Sequence, residues 1–136
     1  MFTKSYKEKG KDRHREVQLM AEVKTLSPFG HASDKPWEAL FALANAHGDI
    51  ISIHTDKRWG GSMDLIRQAR KMTERPILAK GIHSSDDLIR EAHQAGADLI
   101  LVVGRVPNFH GSMTIVSSRS GPTERTIIFA PVSFSM

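Results

Sequence analysis

Residues 17–107 predict an α/β fold in which about four parallel strands alternate with three helices. Three observations carry this. Short apolar runs recur along the chain, each followed by a stretch with helical spacing. The helical stretches open on Ser or Asp and close on Gly or a polar residue. One helix between successive strands returns the chain to the same end of the sheet, so neighbouring strands run parallel through βαβ units.

"VQLMAEVK" (17–24) is a compact apolar run suited to a buried parallel strand. "SDKPWEALFALANAHG" (33–48) reads as a helix with Ser33 or Asp34 as cap, Pro36 in its first turn and Gly48 as its stop. Its apolar residues Trp37, Leu40, Phe41 and Ala44 fall on one stripe. "DIISIHT" (49–55) is the second strand, followed by the turn "DKRWGG" and a helix at 62–73 capped by Ser62, with Asp64 near its positive end. "PILAKGI" (76–82) is the third strand. A third helix follows over 84–96, with Ser84 or Ser85 as cap and Gly96 as terminator, and "DLILVVG" (98–104) is the fourth strand. After Pro107 the chain turns rich in Ser, Thr, Gly and Pro. The tail 108–136 predicts a hairpin or an irregular end, and Pro131 argues against a central strand there.

The bulk composition bounds the function. At 136 residues the chain is the size of one domain, and 40% hydrophobic with 25% charged residues describes a globular protein. With no cysteine, disulfides, thiolate metal sites and a cysteine nucleophile are excluded, which is compatible with a reducing cytoplasm. No apolar stretch nears the roughly 18 residues of a membrane helix, and the N-terminus lacks the apolar centre of a secretory signal. Of the formal charge of +4, residues 1–16 carry +3, from six Lys and Arg against three acids. This basic arm reads as a solvated terminus more readily than as a nucleic-acid contact, because acids are interspersed and no aromatic ladder accompanies it. The seven histidines show no metal-ligand spacing and read as surface or satisfied residues.

Glu22 and Lys24 sit two apart on a strand and so share a face. They are either a structural ion pair at a strand end or a catalytic pair at the carboxyl ends of parallel strands, where α/β folds place their sites. The segments "TLSPFG", "TDKRWGGS" and "KGIHSS" each follow a strand and open onto that rim. Lys80 ends an otherwise apolar strand, a setting that disfavours an ammonium and suits it to proton donation, although a lysine there can also snorkel to water. "RWGGS" fits either a phosphate cradle or a plain left-handed turn.

"AEVKTLSP" resembles the E-[VY]-K-x-x-S-P signature of the indole-3-glycerol phosphate synthase family. "IISIHTDKRWGGSMDLIRQAR", "RPILAKGI" and "EAHQAGADLILVV" are similar to later blocks of that family, in the same order, over residues 20–104. The resemblance implies a partial, half TIM-type (β/α) barrel and a carbon–carbon lyase of tryptophan biosynthesis. Its substrate would be the phosphorylated anion 1-(2-carboxyphenylamino)-1-deoxyribulose 5-phosphate, cyclised with loss of carbon dioxide and water and with no metal or organic cofactor. Lys80 would be the general acid, Lys24 and Ser27 would hold anionic groups, Glu22 would orient the lysines, and Trp59 would lie against the substrate ring. The chain departs from the family pattern at Gly81 and Ile82, where an acid and an aromatic are usual, and the tail resembles none of the later strands. A full barrel of about 250 residues is nearly twice this length. Two copies pairing into a complete barrel, a non-catalytic module that binds a sugar phosphate or a partner, and an inactive truncated product are the alternatives that follow.

Overall fold

The computed structural model describes residues 17–83, 85–102, 114–117 and 126–131. The basic arm expected over 1–16 and the boundary expected near 107 lie outside them. Strands β1 (Val17–Val23), β2 (Ile50–His54), β3 (Ile77–Lys80) and β4 (Leu99–Val102) alternate with helices α1 (Trp37–His47), α2 (Met63–Met72) and α3 (Asp86–Ala95). A 3₁₀ turn, Lys57–Trp59, separates β2 from α2. Two further strands, β5 (Thr114–Ser117) and β6 (Thr126–Pro131), complete a six-stranded sheet in the order β5-β4-β3-β2-β1-β6. Every neighbouring pair is parallel. The central four strands and three helices are those of a partial (β/α) barrel.

The tail is expected to form a hairpin or an irregular end, and among the described residues its two apolar runs do not pair with each other. Its two apolar runs lie at opposite edges of the sheet, each parallel to the strand it joins. The reason is the open backbone edges of β1 and β4, which present unpaired N–H and C=O groups that each run satisfies separately. β6 ends on Pro131 at the outer edge, where a missing N–H removes no central ladder bond.

Helix α1 begins two to three residues later than its polar cap candidates suggest. Pro36 is its N-cap, in extended conformation, while the Ser33 hydroxyl accepts from Lys35 N at 3.0 Å in a turn of its own. Ser62 and Ser85 cap α2 and α3, accepting from Leu65 N and Leu88 N. Gly96 ends α3 at φ +114°, a left-handed conformation that favours glycine.

Alternation along the strands divides the side chains between two faces. Ala21, Val23, Ile51, Ile53, Ile77, Ala79 and Ile100 face the helices and meet the apolar stripes of α1 (Trp37, Leu40, Phe41, Ala44), α2 (Ile66, Ala69) and α3 (Ile89, Ala92, Ala95). Alanines on the stripes of all three helices let the helix backbones lie close to the sheet. The opposite face carries Met20, Ile50, Leu78 and Leu99 as a separate buried apolar layer. Two residues further along β1, β2 and β3 that same face turns polar, at Glu22, Ser52 and Lys80, while β4 keeps Leu101 there.

Arg70 stitches the base of α2 to β3 and β4. Its guanidinium donates to Asp98 Oδ2 at 2.7 Å and to the carbonyls of Gly96, Thr73 and Arg75 at 3.1, 2.7 and 2.8 Å. Asp98 in turn accepts from Ile77 N. Arg70→Ala strands these acceptors and should lower stability by about 2–3 kcal/mol in urea denaturation. Arg70→Lys should recover only part of it, since an ammonium cannot reproduce the planar fork.

Candidate active site

The polar end of the inner face lies at the carboxyl ends of β1, β2 and β3. Register places Glu22 beside Ser52 and His54 beside Lys80, so the alternation that buries Met20, Ile50 and Leu78 delivers Glu22, His54 and Lys80 to one place. These residues, with Lys24, Trp59, Gly81, Ile82 and Leu101, line a cavity of about 250 Å³.

Glu22 is its centre. The carboxylate is only 9% exposed, and its Oε1 accepts a hydrogen bond from the Lys80 ammonium. His54 Nε2 lies 3.3 Å from the same oxygen, while Lys24 Nζ stands 3.7 Å from Oε2. Burial works against ionisation of Glu22, but the hydrogen bonds and charges of His54 and Lys80 outweigh it and lower its pKa to about 2. The carboxylate is therefore a fixed anion that holds two lysines at the cavity wall. Lys24 and Lys80 each keep about a quarter of their side chains exposed, enough to reach a ligand.

The folded pKa of Glu22 lies below the unfolded 4.5. Its contribution is complete above pH 4.5 and is lost as pH falls toward 2. The shift corresponds to about 3 kcal/mol. Urea titrations at pH 6 and pH 3 should show a larger acid loss for the native chain than for Glu22→Gln; equal losses would contradict this electrostatic account.

Local structure holds the rim in place. Asp56 accepts from Arg58 N at 2.9 Å and pairs with its guanidinium, whose hydrogen bonds draw the Asp56 pKa down to about 2. This clamp sets the 3₁₀ turn that carries Trp59. The Trp59 ring stacks on His54 with centroids 5.7 Å apart and planes 12° apart, and the Arg58 guanidinium lies 5.0 Å from the Trp59 centroid. Gly60 sits at φ +71°, in the left-handed region that favours glycine. On the neighbouring loop, His83 Nδ1 lies 3.1 Å from the Leu101 carbonyl and Nε2 lies 3.4 Å from Thr55 Oγ1. Burial lowers the His83 pKa, and the bond to Leu101 opposes that only in part.

Glu22, Lys24, Lys80 and Trp59 thus meet at one cavity. Ser27 is not among the residues lining it; its hydroxyl accepts from Phe29 N at 3.1 Å within the β1–α1 connection. The apolar setting expected for Lys80 describes its strand neighbours Leu78 and Ala79, but its head group meets a carboxylate. The reading of the histidines as surface or satisfied residues fails for His54, which is 5% exposed and has no hydrogen-bond partner at Nδ1 among the described residues. Alternation in "IISIH" puts His54 on one face with Ile50 and Ser52, and the register with β1 and β3 makes that the face of Glu22.

Residues 2–113 match the family described as indole-3-glycerol phosphate synthase. The indole-3-glycerol phosphate synthase of Bacillus pumilus is 32% identical over 107 residues, covering 76% of this chain and 43% of that protein. The protein of the same name from Nocardioides is 38% identical over 89 residues, 62% of this chain and 34% of the relative. That of Thermococcus kodakarensis is 32% identical over 117 residues, 75% of this chain and 52% of the relative. The chain therefore spans about a third to a half of the length of these relatives. With residues 2–113, most of its length, matching the family, the chain belongs to the indole-3-glycerol phosphate synthase family.

Proposed function

We propose that the chain carries the first half of an indole-3-glycerol phosphate synthase site, acting on 1-(2-carboxyphenylamino)-1-deoxyribulose 5-phosphate. The observation that carries this reading is one buried carboxylate, Glu22, holding Lys80 and Lys24 at the carboxyl ends of parallel strands. In this reading the ring carbon bearing the carboxylate attacks the ketone carbon, and Lys80 Nζ gives a proton to the ketone oxygen. Carbon dioxide then leaves the ring carbon, returning its bonding pair to the ring. The new hydroxyl takes up a proton and departs as water as the adjacent carbon that bears the nitrogen loses one, which forms the indole double bond. Lys24 holds the substrate carboxylate, Glu22 orients both lysines and assists later proton transfer, and Trp59 lies against the aromatic ring. Ser27 joins the anion-binding set only if the β1–α1 connection rearranges around ligand.

A cavity of about 250 Å³ falls below the range of roughly 300–1,000 Å³ typical of small-molecule pockets. In this proposal the described residues therefore hold the reacting end of the substrate, and its phosphate is bound elsewhere. A second copy of the chain completing the barrel across the β5 and β6 edges belongs to the same proposal, as does a cytoplasmic setting. No helix among the described residues is long and apolar enough to cross a membrane.

The test is fluorescent detection of indoleglycerol phosphate from the carboxyphenylamino substrate, with Lys80→Ala as control. Product above the control supports the lyase. Equal background in both proteins rejects it, and calorimetry with a reduced substrate analogue then tests the second reading, a half-barrel that binds without turnover. That reading is favoured by the partial span of the relatives' length.

A further inference from the structure

Lys80 and His54 approach the same oxygen of Glu22, one from β3 and one from β2. The proposed reaction consumes this arrangement unevenly. When Lys80 protonates the ketone oxygen it becomes a neutral amine, and Glu22 Oε1 loses its cationic partner while still buried. Burial of a carboxylate without a compensating donor drives it to take up a proton. A neutral carboxyl would no longer hold the Lys24 ammonium or draw Lys80 back to its charged, oriented state.

The imidazole of His54 is placed to prevent that. It is 5% exposed, its ring lies nearly parallel to the Trp59 indole, and Nε2 is 3.3 Å from Oε1. A histidine buried for structural reasons has its ring nitrogens bonded to backbone or side chains. Among the described residues neither ring nitrogen of His54 has a hydrogen-bond partner, and Nε2 stands at ion-pair distance, 3.3 Å, from Glu22 Oε1. The other groups around the carboxylate are Lys24 from the end of β1, Lys80 from β3 and the apolar Leu101 from β4. Asp56, on the turn after β2, is engaged by Arg58.

We propose that His54 is a positioning residue that keeps Glu22 ionised while Lys80 is deprotonated, so that the carboxylate goes on orienting both lysines until Lys80 regains its proton. This rests on the reading of Lys80 as proton donor. The proton transferred is the one leaving Nζ for the ketone oxygen; His54 donates a hydrogen bond and gives up no proton.

Lys80→Met imitates the deprotonated state by removing the cation and keeping the chain length. The Glu22 side-chain carboxyl is followed by ¹³C NMR against pH in the full chain. Three versions are compared: Lys80→Met alone, Lys80→Met with His54→Phe, and Lys80→Met with His54→Gln. Phenylalanine keeps the stack on Trp59 and removes the donor; glutamine keeps a donor. With Lys80→Met alone, Glu22 should remain ionised at pH 7. Adding His54→Phe should raise its midpoint by about two pH units, and adding His54→Gln should leave most of the single-variant behaviour intact. Identical Glu22 titrations in the first two proteins would overturn the proposal. So would a neutral Glu22 at pH 7 in Lys80→Met alone, a result that depends on no substitution at His54. None of these readings needs turnover, so a failed lyase assay and a failed titration are separate outcomes.

Discussion

Gly61→Ala is expected to lower stability by about 3 kcal/mol and to disarm the cavity in the same step. A methyl group on Gly61 would overlap the His54 carbonyl and come within 2.8 Å of Thr55 N. Both are backbone groups and cannot rotate aside. The segment is also tied by its own hydrogen bonds, from Gly61 N to Asp56 O at 2.9 Å and from Ser62 N to His54 O at 3.1 Å. Relief therefore has to come from moving the end of β2 or the start of α2, which displaces His54, Trp59 and the Ser62 cap together. Gly30→Ala is the comparison. Gly30 has φ +99° but open space around its would-be methyl, so only the backbone preference opposes substitution, about 1 kcal/mol. Urea midpoints for the two variants, with the Trp59 indole resonance as local reporter, check the contrast. Equal costs would show that the His54 carbonyl yields more easily than its bonding suggests.

On the proposed lyase reading, Lys80→Ala is expected to reduce indoleglycerol phosphate formation about 10²–10⁴-fold, the range for loss of a positioned general acid. Lys80→Arg should rescue little, because a guanidinium stays protonated and cannot give its proton to a developing alkoxide. The distinction matters because Lys80 also pairs with Glu22. A lysine needed only to neutralise that carboxylate would be replaced well by arginine. Rates for both variants, measured beside their urea midpoints, separate the two roles. Recovery of most of the rate in Lys80→Arg would assign Lys80 to charge balance rather than proton transfer.

The four central strands and three helices were legible because each carries its own local signal. The Trp37, Leu40, Phe41, Ala44 stripe needs no tertiary information, nor do Ser62 and Gly96 at their helix ends. Glu22, Lys24 and Lys80 were legible as a group because all follow from strand alternation and from position at strand ends. What escaped depended on neighbours distant in sequence. His54 looks like an ordinary polar strand terminus until its register beside Lys80 is known. Ser27 lay in the right motif, but its hydroxyl is engaged by Phe29 N, a competition between local turn and cavity that spacing alone does not reveal. The tail misled for a related reason. Two apolar runs near each other in sequence suggest mutual pairing, whereas the deciding factor is which backbone edges stand open elsewhere in the sheet.

Strand pairing here is also a safeguard against assembly errors. Sliding β1 past β2 by one position would turn Glu22 into the oily helix side and bring Val23 to the mouth, since neighbouring residues point oppositely. A misthreaded chain would then bury an unpaired acid and lose its grip on both lysines at once. On the proposed reading, anion binding would consequently work as a certificate of correct threading, and one that a conventional spectrum of secondary structure would never issue.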